Sequence, residues 1–416
     1  MQAYREKLKE RFLRYVAVDT AADEGADCYP SSKGQLQLGN ILAHELRELK
    51  TENVTISPYG IVSATLPANE SGIPAIAWLA HMDTSPESPG CGIKPQIIES
   101  YQGGDIPLTG NPDKVIKVED TPQLQDMIGK TLITTDGTTL LGGDDKAGIA
   151  IIMTTVDYLI KHPEVKHGPI RIVFSCDEEI GKGVDHLSVE EIDAVAGYTL
   201  DGESELMIEA ETFSADVATV TVRGKNIHPG LAKNRMVNAI RIASEFISRM
   251  PRQTMSPETT EGLEPFMHPY SLTGGVESSS FKIILRSFET ADLEKQGQIL
   301  HAIAESLLAE FPKCEIDIDI KKQYRNMREG MHKEPRAVEK AKQAIKNLGY
   351  EYKMTSIRGG TDGSQLTELG MPTPNLSAGM HNFHSPLEFA CLDEMETAVQ
   401  VLIELAKCWA EEKTDA

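Results

Sequence analysis

The chain has 416 residues, of which 40% are hydrophobic and 25% charged, and it carries a formal net charge of -22. Such a length can bury enough surface for two domains. The acidic balance repels phosphate and so argues against nucleic acid or an anionic membrane as a partner.

The opening stretch, MQAYREKLKERFLRYVAV, places Tyr4, Leu8, Phe12 and Val16 four apart among charges. That spacing predicts an amphipathic helix and not the apolar run of a signal peptide, so a cytoplasmic location is expected. Next come IPAIAWLA and PIRIVFSC, two short continuous apolar runs expected of strands covered on both faces, with AGYTL a weaker candidate of the same kind. Between the first two, DKAGIAIIMTTVDYLIKH reads as a helix opened by an acidic cap. This rhythm predicts an α/β fold: a helix-flanked mixed, mainly parallel sheet.

From about Phe213 the pattern changes. ADVATVTV alternates, RMVNAIRIASEFISRMP is helical, HPYSLTGGVES and SSFKIILR are extended, ADLEKQGQILHAIAESLLAEF is helical and CEIDIDI alternates again. The order is βαββαβ, a ferredoxin-like α+β unit. After about Met327 a helix, EPRAVEKAKQAIKNLG, and further short strands suggest a return to the first domain. The expected organisation is a catalytic domain over 1–211 and 327–416, interrupted by an inserted domain over 212–326.

Acids and histidines collect just past the predicted strand ends. AIAWLA is followed by His81 and Asp83, LLGG by Asp144 and Asp145, RIVFSC by Asp177, Glu178 and Glu179, and AGYTL by Asp201, while GMHNFHSPLEF adds His381, His384 and Glu388. In open α/β sheets, sites form beyond the carboxyl ends of the strands, so these groups can converge on one crevice. One such residue is ordinarily a loop cap or a surface group. Several at the same level repel one another unless a cation neutralises them. Imidazole mixed with carboxylate suits zinc, with cobalt or manganese as substitutes, better than magnesium or calcium. His81 and Asp83 are two apart, which in extended chain lets Asp83 hydrogen-bond the imidazole. Of Asp144 and Asp145 one can ligate and the other cap the following helix, and spacing alone leaves the assignment open. The six cysteines have no CxxC spacing, so neither a disulfide framework nor a thiolate metal site is expected.

Taken in order, AHMDTSPESPG, TTDGTTLLGGDDKAG, SCDEEIGKG, TLDG, GKNIHPGLAKNRMVNAI, RGGTDGSQL and HNFHSPLEF resemble the M20 family of dinuclear zinc peptidases. More narrowly, they are similar to its tripeptide aminopeptidases. The resemblance spans nearly the whole chain and implies two Zn2+ per subunit. One would be held by His81, Asp144 and Asp201 and the other by Asp144, Glu179 and His384, with Asp145 as the cap. It implies attack on the scissile carbonyl of a short peptide by a metal-bridging hydroxide, with Glu178 as general base and Asp83 beside His81.

It further implies that the inserted domain serves as lid and dimerisation domain, so that a homodimer lends His228 to its neighbour's site to bind the oxyanion. Arg286 and Arg358 are candidates to grip a peptide carboxylate, because a planar fork suits bidentate binding. A dipeptidase or N-acyl-amino-acid deacylase of the same family would carry the same ligands. A magnesium-dependent phosphoryl-transfer enzyme lacks its Walker A sequence here, and an inactive binding protein would have no reason to keep Glu178 and all five ligands. Ser385, Pro386 and Leu387 depart from the family's usual residues after His384, and Pro386 removes a backbone donor there.

Overall fold

A computed structural model describes residues 2–413 and divides them into two compact units. The first comprises the chain up to Ala210, Glu329–Thr355 and everything from Thr361; the second comprises Glu211–Arg328 and Ser356–Gly360.

The first unit is built on a mixed sheet. Its centre is four parallel strands in the spatial order Ile170–Ser175, Ile76–His81, Ala196–Glu203 and Asn375–His381. The first two are the continuous apolar runs of the sequence and the third its weaker candidate, whereas Asn375–His381 falls among the further short strands expected late in the chain; Ile76–His81 is buried at every position, as a strand covered on both faces must be. The flanks are antiparallel: Glu52–Ile56 and Val62–Leu66 on one side, Phe389–Cys391, Leu132–Thr134 and Gln96–Ile98 on the other.

The helix Gly143–Lys161 is apolar nearly all round and buried along most of its length. It lies close against the sheet at Gly148, where a Cβ would come within 2.2 Å of the Leu200 carbonyl oxygen, so any larger residue would push the helix off its strand. The N-terminal helix Gln2–Val16 buries Leu8, Phe12, Tyr15 and Val16. The buried polar groups of this core are satisfied in a chain: Trp409 Nε1 donates to the Tyr198 hydroxyl, which donates to the Ala337 carbonyl, both at 2.8 Å.

The second unit runs Ser214–Arg223, Ala239–Arg249, Phe266–Gly274, Ser278–Ser287, Thr290–Glu310 and Glu315–Tyr324, a βαββαβ order. Its four strands form one antiparallel sheet with Ser214–Arg223 and Ser278–Ser287 in the middle. Apolar residues such as Val220, Phe246, Phe281 and Leu300 close its core. The helix Ala239–Arg249 starts at Asn238, whose side chain accepts from the N–H groups of Ile240 and Arg241. No helix among the described residues is long and apolar enough to cross a membrane.

Candidate metal centre

The parallel strands of the first unit end together, and the residues just past those ends meet. His81 closes the strand Ile76–His81; its Nε2 lies 2.9 Å from Asp144 Oδ1 and 3.6 Å from Asp201 Oδ1. His384 Nε2 lies 2.9 Å from Glu179 Oε2 and 3.3 Å from Asp144 Oδ2. The donor atoms of His81, Asp144 and Asp201 fall within 4.8 Å of one another, as do those of Asp144, Glu179 and His384. Asp144 belongs to both groups, one oxygen turned to each.

Each acid has a local reason for its position. Asp144 and Asp145 depart from helical φ/ψ, so the true helix begins after them. Asp145 then splits its two oxygens, Oδ1 accepting from the Gly148 N–H at 3.1 Å and Oδ2 from the His81 N–H at 3.2 Å. It caps the helix and ties it to the strand, while Asp144 is left to face the cluster. The peptide between them is cis.

The run Asp177-Glu178-Glu179 breaks strand geometry at once, with Asp177 at φ 60° and a short 3-10 turn over Glu178–Ile180. Asp177 points away from the cluster. Its carboxylate accepts from the Ser31 N–H at 2.7 Å, the Ser31 hydroxyl at 2.5 Å and Gln35 Nε2 at 2.6 Å, and its own N–H returns to Gln35 Oε1. Asp83, wholly buried, does more than the sequence spacing suggests. Its Oδ1 stands 3.5 Å from His81 Nδ1, which lies nearer the Asp83 carbonyl at 3.1 Å. The same carboxylate accepts the N–H groups of Glu178 at 3.1 Å and Glu179 at 3.0 Å, so it holds the turn that carries them.

The electrostatics are those of packed carboxylates whose near cations are two imidazoles. Burial pushes Glu178 and Asp201 well above the usual carboxylate range; for Asp201 the Asp144 charge adds to this, and His81 opposes the shift in both. Burial, with the Asp144 charge behind it, pushes Glu179 up to about 7. Burial favours neutral His384 and His81, yet hydrogen bonds to Asp144 and the other acids outweigh it, raising His384 to about 11 and His81 well above its ordinary value. Burial would likewise raise Asp144, but its two histidine partners pull it below its usual range.

Two histidines, one buried and one half-buried, acting as the counter-ions of packed carboxylates is an arrangement that cations would replace. The residues fit a metal pair on a further ground, since Glu179 Oε1 is buried with no hydrogen-bond partner among the described residues. Two imidazoles with three carboxylates is a donor set for zinc, cobalt or manganese.

Two supporting groups were not legible as such. Glu388 accepts from the N–H groups of Leu141 and Gly142 with one oxygen, at 2.7 and 2.8 Å, and from Asp144 with the other, at 3.1 Å. It thereby fixes the turn that presents Asp144, although burial raises its carboxyl to about 7. Of the glycine pair before Asp144 only Gly142 donates to Glu388, so no residue type in the run signalled this anion. Asp362 accepts from the Ser175 hydroxyl at 2.5 Å, and burial raises it to about 6. Its other oxygen lies against Gly183, where a Cβ would intrude to 1.8 Å, which accounts for the second glycine of the DEEIGKG run.

His381 stands apart from the cluster, its Nε2 paired with Glu394 at 2.7 Å. The donor that Pro386 lacks is not needed by the sheet. Met380 and His381 pair with Ala390 and Phe389, and Pro386 sits in the intervening turn, where the ladder asks for no donor.

His228, Arg286 and Arg358 belong to the second unit. His228 precedes a 3-10 turn, and its Nδ1 accepts from the Gly230 N–H at 3.2 Å. Arg286 donates to the Leu285 carbonyl at 3.1 Å and lies over the Tyr324 ring. Arg358 donates to the Gly262 carbonyl at 2.5 Å and lies over the rings of Phe213 and Phe266.

The sequence pattern of peptidase family M20/M25/M40 matches residues 135–407. The chain is 46% identical over 411 residues to a protein named Peptidase T from Geobacillus thermodenitrificans, covering 99% of this chain and 100% of that one. Among solved structures it resembles the aminopeptidase PepT of Bacillus cereus, with a TM-score of 0.76 and 25% identity over 98% of this chain and 99% of that one. A Bacillus subtilis protein described as a dinuclear metal binding peptidase from the M20 family shares the fold, with a TM-score of 0.66 and 16% identity over 98% of both chains.

Proposed function

This chain belongs to peptidase family M20/M25/M40, and on that premise we propose that it is a metal-dependent aminopeptidase releasing the N-terminal residue of short peptides, chiefly tripeptides. The observation that carries the reading is the pair of donor groups sharing Asp144, with Glu178 next to the ligand Glu179 and within electrostatic reach of His81 and Asp201. His81, Asp144 and Asp201 would hold one ion and Asp144, Glu179 and His384 the other, both taken to be zinc.

What a bound metal pair supplies is Lewis acidity, which lowers the pKa of a water and polarises a carbonyl. The chain's own residues do the rest. Glu178 is the general base: its carboxylate is desolvated, which strengthens it as a proton acceptor, and its backbone N–H is pinned by Asp83. It takes a proton from the attacking water and hands it to the departing amine. Asp83 keeps the turn and His81 in register with each other.

His228 is assigned to the oxyanion. The Gly230 N–H on Nδ1 leaves the proton of a neutral ring on Nε2, so the ring presents a donor. In this reading that donor would enter a partner subunit's site in a homodimer, and Arg286 and Arg358 would take the peptide carboxylate, because a planar fork suits bidentate binding. All six cysteines are free, two of them exposed, which supports residence in the reducing cytoplasm.

The test is hydrolysis of a dipeptide, tripeptide and tetrapeptide series with N-terminally acetylated controls, with and without chelator. Tripeptides should be preferred and chelator should stop turnover; acetylated substrates cleaved at full rate would sink the aminopeptidase reading. Mixing His228→Ala subunits with Glu178→Gln subunits should restore part of the activity if sites are shared between subunits, and no recovery would place the site within one chain.

A further inference from the structure

We propose that Glu87 is a positioning residue for His384, serving this ligand as Asp83 serves His81. The inference rests on the metal-binding reading of the site. A neutral imidazole offers Nε2 to a cation only when its proton sits on Nδ1, and an acceptor at Nδ1 selects that tautomer. Both histidines turn Nε2 toward the shared Asp144. On the outer side, His81 Nδ1 faces the Asp83 carbonyl at 3.1 Å and carboxylate at 3.5 Å. His384 Nδ1 faces Glu87 Oε2 at 3.3 Å.

An exposed ion pair is by itself weak evidence, and the Glu87 side chain is 69% exposed. A second contact, at the next residue, distinguishes this one. Ser88 Oγ donates to the main-chain carbonyl of His384 at 3.1 Å, so the loop grips the histidine by its backbone as well as its ring. The loop is anchored in turn, since the Leu140 N–H donates to the Pro89 carbonyl at 3.0 Å. Asp83 and Glu87 are four residues apart on one segment leaving the strand Ile76–His81, so that segment supplies an outer carboxylate to both histidines. His384 needs such support because its backbone is held in the left-handed region, at φ 61°, away from any strand.

The experiment is zinc competition against a chromogenic chelator, resolving the two equivalents, on the full-length protein and its Glu87→Ala and Glu87→Asp variants. Glu87→Ala should weaken one equivalent about 10-fold, the low end for an outer partner of a ligand, and leave the other unchanged. Glu87→Asp should recover part of the loss, and the absorption spectrum of the cobalt-substituted protein should change for that equivalent alone. Unchanged affinity at both positions overturns the proposal while leaving the metal pair and the peptidase reading intact. Equal weakening of both, with a lowered melting temperature, also overturns it by reducing Glu87 to a general structural role. If the unaltered protein binds fewer than two equivalents, the metal reading itself fails and this inference falls with it.

Discussion

The two histidine corners of the centre are built by opposite means. His81 is the last residue of a fully buried strand, its side chain 2% exposed, its N–H held by Asp145 and its ring by Asp83. His384 sits in a turn, its side chain 35% exposed, and is steadied by Glu87 and Ser88 from another loop. The sheet preorganises the first corner, whereas loops must assemble the second, so the two ions should differ in how readily they leave. Local opening is drawn from segments with few buried contacts, and only the second corner is of that kind.

The largest expected effect tests whether this contrast concerns binding alone. Glu178→Gln should keep both ions yet lose on the order of 100- to 10,000-fold in kcat, the usual worth of a general base; unchanged turnover would remove Glu178 from that role. Next, single ligand removals should separate the corners. Glu179→Ala should lose its ion on dialysis, a larger deficit than the 10- to 100-fold expected of an outer partner, while the ion at His81 stays. Elemental analysis reporting full occupancy would contradict the ligand assignment, and equal loss from Glu179→Ala and Asp201→Ala would erase the contrast.

A smaller effect follows from pH. Both His384 and Glu179 are raised in the metal-free fold, to about 11 and about 7. Their protons therefore stabilise that fold fully only below the ordinary values of 6.5 and 4.5, and the contribution is lost as pH climbs through the raised ones. Metal binding displaces the same protons and strengthens over this range. The drop in melting temperature caused by chelator should thus grow between pH 5 and pH 8, by roughly a few degrees; a drop that shrinks would break the account. The smallest effect is Glu388→Gln, which keeps an acceptor but loses the charge facing three N–H groups. It should cost about 1–3 kcal/mol in thermal unfolding, with a greater loss of the ions than of the fold.

Much of this was legible from sequence because the physics is local. Continuous apolar runs announced two of the four central strands and AGYTL, more weakly, a third, and the alternation of Ile316, Ile318 and Ile320 with acids announced the last strand of the second unit. The antiparallel flank at 52–66 was not drawn because its strands are five residues each and alternate weakly, whereas the helices Lys33–Glu48 and Leu392–Ala410 were missed although each buries a regular apolar face, Leu38, Leu42 and Leu46 in one and Met395, Val399 and Leu402 in the other. Within the site, residue types at strand ends pointed to a cation, and ordered motifs named the ligands. The supports were hidden for a different reason. Asp177 meets Ser31, Glu388 meets Leu141 and Ser88 meets His384, contacts of which the first spans 146 positions and the last 296. No spacing rule reaches that far.

The cluster gathers its donors from residues 81, 144, 179, 201 and 384. A ribosome making this chain from the amino end therefore delivers His81, Asp144 and Asp201 together well before His384 emerges. One donor group is thus complete in sequence before the other, yet the turn that presents Asp144 waits for Glu388 and the Asp201 N–H waits for Asn375, so both corners are finished only when the last quarter of the chain arrives.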